Sequence, residues 1–157
     1  MPRVAGLCLE GIAAGSVLDI GTGTGVFSEA FIAAGLSAAG VDLNPELLAV
    51  ARGLVPEGTF FEARAEALPC DDGAYDLVFL GQLLHEVEDP LLVLKEARRV
   101  GRLRVAVLEW PYREDQQGPP LGHRMRPEQV EALALAAGFQ GSVTVGLGHL
   151  TLFLLGI

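Results

Sequence analysis

A strand, a glycine-rich turn and a helix follow one another directly in residues 17–28, and this unit constrains the fold more than any other segment. The stretch reads VLDIGTGTGVFS, an apolar run that contains Asp19 and leads into Gly21, Gly23 and Gly25. Glycine permits a tight turn after a strand and lets a ligand approach the backbone where a β-carbon would collide. The segment therefore predicts the first unit of an α/β sheet, with a ligand site at the turn.

Apolar runs alternate with helical patterns along the rest of the chain, which predicts βαβ units and a parallel sheet. The expected strands are 17–20, 38–42, 59–62, 75–80, 103–109, 142–146 and 150–155. The expected helices are 3–14, 26–34, 45–53, 90–99 and 127–137. The last two strands are so close in sequence that they favour an antiparallel hairpin over another crossover.

Composition limits the class of protein. The length predicts one domain, 1–157, and half of its residues are hydrophobic, enough for a continuous core. Eleven basic and twenty acidic residues give a net charge of −9, which argues against a nucleic-acid partner. We expect no membrane span, no secretory signal and no metal site, and the two cysteines in unlike contexts fit a reducing, cytoplasmic location.

The position of one acidic residue indicates what the glycine turn binds. Asp42 ends the second expected strand, 21 positions after Gly21, a spacing that suits a carboxylate accepting hydrogen bonds from ribose hydroxyls. The glycines are spaced G-x-G-x-G, and Val26 stands where the dinucleotide fingerprint needs its third glycine. Asp19 would disfavour a pyrophosphate beside the turn and favour a cationic group. The pattern therefore predicts an adenosine-type cofactor and disfavours a nicotinamide-dependent oxidoreductase.

At these residues the chain resembles the class I S-adenosylmethionine-dependent methyltransferases of the type 11, small-molecule kind, whose first motif is (Asp/Glu)-x-Gly-x-Gly-x-Gly. Segments similar to later motifs of that family follow in order at 41–45, 63–69, 72–78 and 84–90. The resemblance implies a Rossmann-like, doubly wound αβα fold with a mostly parallel seven-stranded sheet of order 3-2-1-4-5-7-6 and an antiparallel strand seven. It also implies S-adenosyl-L-methionine as cofactor and methyl transfer to a small-molecule acceptor.

The resemblance further implies a set of cofactor-binding residues, namely Asp19, Gly21, Thr22, Gly23, Asp42, Leu43, Ala65, Glu66, Leu80 and Gly81. Asp42 would accept hydrogen bonds from both ribose hydroxyls, or else cap the following turn. Leu43 would lie against the adenine, or else belong to the core. Asp19 would hold the turn amides or the methionine ammonium, although a purely structural role is equally open.

The remaining residues of this set are expected at the two ends of the cofactor. Ala65 and Glu66 fall at the adenine edge, although Glu66 could equally be a surface charge. Leu80 and Gly81, where the fourth strand ends, would border the methionine.

The acceptor side is less well defined by the sequence. His85 is the best candidate for a catalytic base because its ordinary pKa lies near neutrality, although a lone histidine before a helix is more often a cap or a packed side chain. Glu109 ends the fifth strand and would line the acceptor pocket. Residues 110–126 hold three prolines and two glycines, which fits a lid or a plain connector. Quinone-biosynthesis members of the family carry a similar segment here.

A second hypothesis is a non-catalytic protein that binds S-adenosylmethionine or S-adenosylhomocysteine and serves as a partner or regulatory subunit. Only a short segment precedes the first strand, whereas methyltransferases often build an acceptor lid from N-terminal helices. The same apolar N-terminal segment could instead pack against a second copy of the chain, which makes a homodimer possible.

Overall fold

The computed structural model describes residues 1–157, with seven strands, five α-helices and one short 3-10 turn at Leu121–His123. The strands are β1 (Ser16–Ile20), β2 (Ser37–Asp42), β3 (Thr59–Glu62), β4 (Tyr75–Gly81), β5 (Gly101–Glu109), β6 (Gly141–Gly146) and β7 (Thr151–Gly156). The helices are α1 (Pro2–Leu9), α2 (Val26–Ala33), α3 (Pro45–Leu54), α4 (Pro90–Val100) and α5 (Pro127–Ala136). None of these helices combines the length and the apolar character that a bilayer crossing requires.

The seven strands form one sheet in the order β3-β2-β1-β4-β5-β7-β6, which confirms the predicted fold class. Strands β1 to β5 pair in parallel, and β7 runs antiparallel to both β5 and β6. The strand order reverses beside β1, which lies between β2 and β4. In open α/β sheets, ligands bind at the carboxyl ends of the strands at such a reversal point.

Both faces of the sheet are covered, and the alternation of side chains along the central strands builds a core on each. In β4, Leu77 and Phe79 pack in a cluster with Phe31 of α2, whereas Val78 and Leu80 belong to a cluster with residues of α4 and α5. All five side chains are fully buried. This double packing fixes the register of β4 and thereby the place where its carboxyl end opens.

Most predicted elements agree with the observed ones to within two residues at either end, but the leading helix was predicted too long. Helix α1 ends at Leu9, not at residue 14. Glu10 has an extended backbone with ψ of 122°, and Gly11 turns into the left-handed region at φ of 75°. This turn directs the chain into β1, and a helix cannot continue through it.

Helix α3 begins where the sequence places a capping residue. Asn44 Oδ1 accepts hydrogen bonds from the amides of Glu46 and Leu47 at 2.9 and 3.3 Å, and Pro45 occupies the first helical position. The cap sets the direction of α3 immediately after Asp42, so the carboxylate of Asp42 lies between a strand end and a helix start.

Candidate functional site

A cavity of about 330 Å³ opens at the carboxyl ends of β1, β2 and β4, at the point where the strand order reverses. This volume lies at the lower end of the range for sites that enclose small organic ligands. Six of the predicted cofactor residues line the cavity: Gly21, Asp42, Leu43, Ala65, Glu66 and Gly81. The structure thus brings together residues that are far apart in sequence and come from four different segments.

The glycine turn forms one wall of this cavity. The amides of Gly21 and Thr22 both donate to the carbonyl oxygen of Val41 at 2.9 Å, which ties the turn to the end of β2. Gly21 has a φ of 71°, in the left-handed region where glycine is favoured. A β-carbon on Gly21 would lie 3.0 Å from Leu83 Cδ1, so a side chain there would collide with the opposite wall.

Asp42 joins the glycine turn to the start of α3. Its Oδ2 accepts a hydrogen bond from the amide of Gly23 and its Oδ1 one from the amide of Asn44, both at 2.9 Å. The turn-capping role considered from the sequence is therefore present. Each carboxylate oxygen has a further lone pair, so Asp42 retains the capacity to accept hydrogen bonds from two neighbouring hydroxyl groups of a ligand.

Asp19 lies beneath the turn and is 1% exposed. Its Oδ2 accepts hydrogen bonds from Thr22 Oγ1 and Ser28 Oγ, both at 2.8 Å, whereas its Oδ1 has no hydrogen-bond partner. Burial raises the pKa of this carboxyl to about 6, although the two hydroxyl donors oppose the shift. A buried carboxylate with one unpaired oxygen is a site that a cationic hydrogen-bond donor would complete.

Four of the predicted cofactor residues do not line the cavity: Asp19, Thr22, Gly23 and Leu80. Thr22 is buried, with its hydroxyl on Asp19, and the amide of Gly23 is bonded to Asp42. Leu80 is the last residue but one of β4. Its side chain is fully buried in the core because the alternation along β4 directs it into the cluster that contains Val78 and Leu94.

The segment after β4 supplies most of the opposite wall, which the sequence did not predict. Gln82, Leu83, Glu86 and Val87 all line the cavity. Gln82 is the one non-glycine residue with positive φ, at 59°, and its amide donates to the carbonyl oxygen of Leu108 in β5 at 2.6 Å. This bond continues the β4–β5 ladder, in which Gly81 and Leu108 are register partners, and the left-handed backbone of Gln82 then changes the direction of the chain.

Several apolar wall residues were also missed, namely Ile20, Val41, Leu47 and Ala63. Each was assigned to a strand, a helix or a motif without a site role. Ile20 and Val41 directly precede the predicted site residues Gly21 and Asp42, whereas the sequence holds no such signal for Leu47.

His85 and Glu109 lie next to this cavity but do not line it. Glu109 ends β5, and its Oε2 lies 2.7 Å from His85 Nδ1, while its Oε1 accepts the amide of Leu84 at 2.8 Å. The hydrogen bond to Glu109 raises the pKa of His85 above its ordinary value, although burial opposes this. The pair thus forms an ionisable group beside the cavity.

Residues 110–126 contribute no part of the cavity wall. The segment is organised around Arg124, which is 5% exposed. The guanidinium of Arg124 donates to the carbonyl oxygens of Pro111 and Pro119 at 3.1 and 2.8 Å and lies over the ring of Trp110, 5.6 Å from its centroid. In this structure the cavity is covered by residues 82–87, and 110–126 is a separate ordered segment.

Comparison with known proteins places the chain in a family. A family model described as "Methyltransferase domain" matches residues 18–104, more than half of the chain. An uncharacterized methyltransferase of Mycobacterium tuberculosis is 37% identical over 110 residues, which cover 68% of this chain and 44% of that protein. A demethylmenaquinone methyltransferase of Chlorobaculum tepidum is 38% identical over 93 residues, 59% of this chain and 38% of that protein. The chain thus spans less than half the length of these relatives.

The fold is shared with a solved S-adenosylmethionine-dependent methyltransferase from Aquifex aeolicus, with a TM-score of 0.85 at 22% identity over 98% of this chain and 88% of that one. The matched family region contains the glycine turn, Asp42 and the segment after β4. The chain belongs to the methyltransferase-domain family of class I enzymes, whose methyl donor is S-adenosyl-L-methionine.

Proposed function

We propose that this protein binds S-adenosyl-L-methionine in the cavity between the glycine turn and the segment 82–87, and transfers its methyl group to a small-molecule acceptor. The observation that carries the proposal is the convergence of Gly21 and Asp42 on one cavity at the reversal point of the sheet. A close-approach glycine beside a carboxylate with free lone pairs suits a nucleoside.

The adenosine half of the cofactor fits the outer part of the cavity. Asp42 is placed to accept hydrogen bonds from the two ribose hydroxyls. Leu43 and Ala65 offer apolar surface to the adenine ring. Glu66 is mostly covered, with 15% of its side chain exposed, and pairs with Arg64 at 3.5 Å. It lines the cavity, and its carboxylate would lie near the adenine edge. These assignments keep the roles that the family resemblance implies.

The methionine half fits the inner end, toward the turn and the end of β4. Asp19, whose Oδ1 has no hydrogen-bond donor, lies beneath the turn and outside the cavity wall, so its charge would attract the ammonium of the methionine across the turn or through a water molecule. Gly81 borders this end, and a β-carbon there would lie 2.9 Å from Phe79 Cε1. The backbone groups of Gly21, Thr22 and Gly23 would contact the methionine half of the cofactor. Leu80 would border it through its backbone alone, because its side chain is buried in the core.

S-adenosylmethionine supplies an electrophilic methyl group on a sulfonium, whose positive charge is lost as the methyl group leaves. The chain's own contribution is therefore to position the reactants and exclude water. Alignment of this kind can lower a barrier by about 7–11 kcal/mol. Leu83 and Val87 contribute apolar wall surface that would exclude water around a bound cofactor.

We infer a small organic acceptor. The net charge of −9 argues against a polyanionic substrate such as a nucleic acid. One relative is named a demethylmenaquinone methyltransferase, and this name supports a small-molecule acceptor. We further propose that residues 1–157 form one domain and that the protein acts in the cytoplasm and not at a membrane. A homodimer stays a prediction.

Isothermal titration calorimetry tests the binding half of the proposal. We expect S-adenosylhomocysteine and S-adenosylmethionine to bind and NAD not to bind. Asp42→Asn should weaken the binding of S-adenosylhomocysteine by about tenfold to a hundredfold, because it removes charge-assisted hydrogen bonds. The matched control is Glu62→Gln, since Glu62 is the register partner of Asp42 on β3 but is exposed and outside the cavity. Equal affinities for the two variants would contradict the proposal.

Turnover separates an enzyme from a non-catalytic binding protein. A panel of phenols, quinols, alcohols, amines and thiols is incubated with the protein and with S-adenosylmethionine labelled on the methyl group. We expect label to appear in one acceptor class. Tight cofactor binding without any transfer would favour the regulatory alternative.

A further inference from the structure

We propose that the side-chain amide of Gln82 binds the carboxylate at the methionine end of the cofactor and makes the cavity selective for methyl donors that carry this carboxylate. The inference rests on the proposed function and deepens it, since it adds a specificity-determining residue to the same site. Decarboxylated S-adenosylmethionine keeps the adenosine, the sulfonium and the ammonium group and lacks only the carboxylate. It is therefore the ligand that the cavity would disfavour.

The charged side chains of the cavity wall are all of one sign. Three of the fourteen wall residues are charged, namely Asp42, Glu66 and Glu86, and all three are acidic. Their carboxylates suit a ligand with a positive charge, but they repel a carboxylate on the ligand, which then needs hydrogen-bond donors facing it. A ligand that ends in both an ammonium and a carboxylate group therefore requires a donor on this wall.

The glycine turn has already used three of its backbone donors. The amides of Gly21 and Thr22 both donate to the carbonyl oxygen of Val41 at 2.9 Å. The amide of Gly23 donates to Asp42 Oδ2, also at 2.9 Å. Phosphate-binding turns hold their anion with backbone amides that are left free for it. Because these three amides have partners within the protein, a carboxylate finds its donor on the opposite wall.

Gln82 is the one wall residue whose side chain can donate a hydrogen bond at neutral pH. The other wall residues are acidic, apolar or glycine. Gln82 is half-buried, and its side-chain amide has no hydrogen-bond partner within the protein. Both N–H groups of this amide are therefore available to a ligand in the cavity.

The backbone conformation of Gln82 is one that glycine adopts more easily. Its φ of 59° lies in the left-handed region, where a β-carbon is unfavourable. The nine other residues with positive φ are all glycine. Strained positions of this kind cluster where a protein holds a ligand. The backbone alone favours glycine at this position, so binding by the side chain accounts for a glutamine there.

Gln82 lies at the inner end of the cavity, where the methionine half of the cofactor fits. It directly follows Gly81, the last residue of β4. The segment that begins at Gln82 faces the glycine turn closely, because a β-carbon on Gly21 would lie 3.0 Å from Leu83 Cδ1. Asp19 lies beneath that turn and is buried. The ammonium and the carboxylate of the methionine would thus be drawn to opposite sides of the inner end.

Isothermal titration calorimetry of the whole protein with S-adenosylmethionine and with decarboxylated S-adenosylmethionine tests this inference. We expect the wild type to bind S-adenosylmethionine about tenfold to a hundredfold more tightly, because the other compound cannot form the charge-assisted hydrogen bonds. Gln82→Ala should bind the two compounds equally, through a loss of affinity for S-adenosylmethionine alone. Gln82→Glu should bind the decarboxylated compound more tightly, since two carboxylates repel each other.

Two further variants separate ligand binding from a structural role. Gln116→Ala is the matched control and should keep the wild-type preference, because Gln116 is exposed and outside the cavity. Gln82→Gly relieves the left-handed backbone conformation. We expect this variant to keep the Tm of the ligand-free protein, measured by differential scanning calorimetry, while the preference for the carboxylate disappears.

Equal wild-type affinities for the two donors, or a Gln82→Ala variant that keeps the wild-type preference, would overturn the inference. A lower Tm of Gln82→Gly together with equal losses of affinity for both donors would assign the side chain a structural role and overturn it as well. Methylthioadenosine, which carries neither the carboxylate nor the ammonium, separates the two proposals. The wild type and Gln82→Ala should bind it equally. If neither methylthioadenosine nor S-adenosylmethionine binds to any form of the protein, the proposed function fails instead.

Discussion

Asp19 is an ionisable residue in a place that solvent does not reach, and its raised pKa has a consequence for stability. The folded carboxyl has a pKa of about 6 and the ordinary value is 3.8, so the folded state binds the proton more tightly than the unfolded state does. Stability contributed by this group is present below the ordinary pKa and is lost as pH rises to about 6. At neutral pH the charge on Asp19 therefore destabilises the fold, by about 1–3 kcal/mol.

We predict that Asp19→Asn raises the free energy of unfolding at pH 8 by about 1–3 kcal/mol and weakens the binding of S-adenosylhomocysteine about tenfold. Urea denaturation and calorimetry measure the two effects. In the wild type the affinity should also fall as pH drops below 6, because the proton removes the charge that holds the ammonium. In Asp19→Asn this dependence should be absent.

The pKa of Asp76 is shifted in the opposite direction to that of Asp19, so this residue is the comparison for the stability prediction. The amide of Gly15, at 2.8 Å, and the Arg102 guanidinium lower the pKa of this carboxyl, so its stabilisation is present above the ordinary pKa and is lost as pH falls. Asp76→Asn should therefore destabilise the fold at pH 8 and leave cofactor affinity unchanged. If both Asp variants destabilise equally, the account of Asp19 is wrong.

At the scale of the elements, the sequence predicted the helix starts and the buried strand β4, because residues close together in the sequence determine them. Asn-Pro at 44–45 and Asp-Pro at 89–90 are helix-start signals in the sequence, and α3 and α4 begin at those prolines. The apolar run of β4 is buried on both faces of the sheet. The paths of segments 82–89 and 110–126 could not be predicted, because they depend on contacts between distant residues. The hydrogen bond from the amide of Leu84 to Glu109 Oε1 is the clearest example.

The segment 110–126 gives a prediction at this scale. Arg124→Gln removes charged hydrogen bonds to backbone carbonyls and should destabilise the protein by about 2–3 kcal/mol. Amide hydrogen exchange should become faster in residues 110–122, while the affinity for S-adenosylhomocysteine should stay constant because the segment does not line the cavity. Arg126→Gln is the matched control, since Arg126 lies at the surface, 4.5 Å from the centroid of the Tyr112 ring. Unchanged exchange in Arg124→Gln would contradict the central role of Arg124.

At the scale of the whole molecule, the sheet order explains why a site exists where it does. The reversal beside β1 leaves a crevice, and parallel pairing puts Ile20, Asp42 and Gly81 at the same edge. The alternation of strands and helices was enough to predict that edge, so the sequence identified one wall of the site. The other wall is a folded-back segment whose position only the three-dimensional structure gives.

Because the cavity is part of the folded state alone, cofactor binding should stabilise the whole molecule. S-adenosylhomocysteine at a hundredfold excess over its Kd should add about 2.7 kcal/mol, which raises Tm by about 5–10 °C in a domain of this size. Differential scanning calorimetry measures this shift. NAD at equal concentration should leave Tm unchanged, and Asp42→Asn should shrink the shift at the same concentration of S-adenosylhomocysteine. An equal shift with NAD would contradict the proposed ligand.

A crystal structure of the protein grown with S-adenosylhomocysteine tests the central claim most directly. We predict that electron density for the nucleoside fills the cavity, with both ribose hydroxyls within hydrogen-bond distance of the Asp42 carboxylate and the backbone of Gly21 against the ligand. Density for the ligand at another place, or an Asp42 side chain that makes no contact with the ribose, would contradict the account.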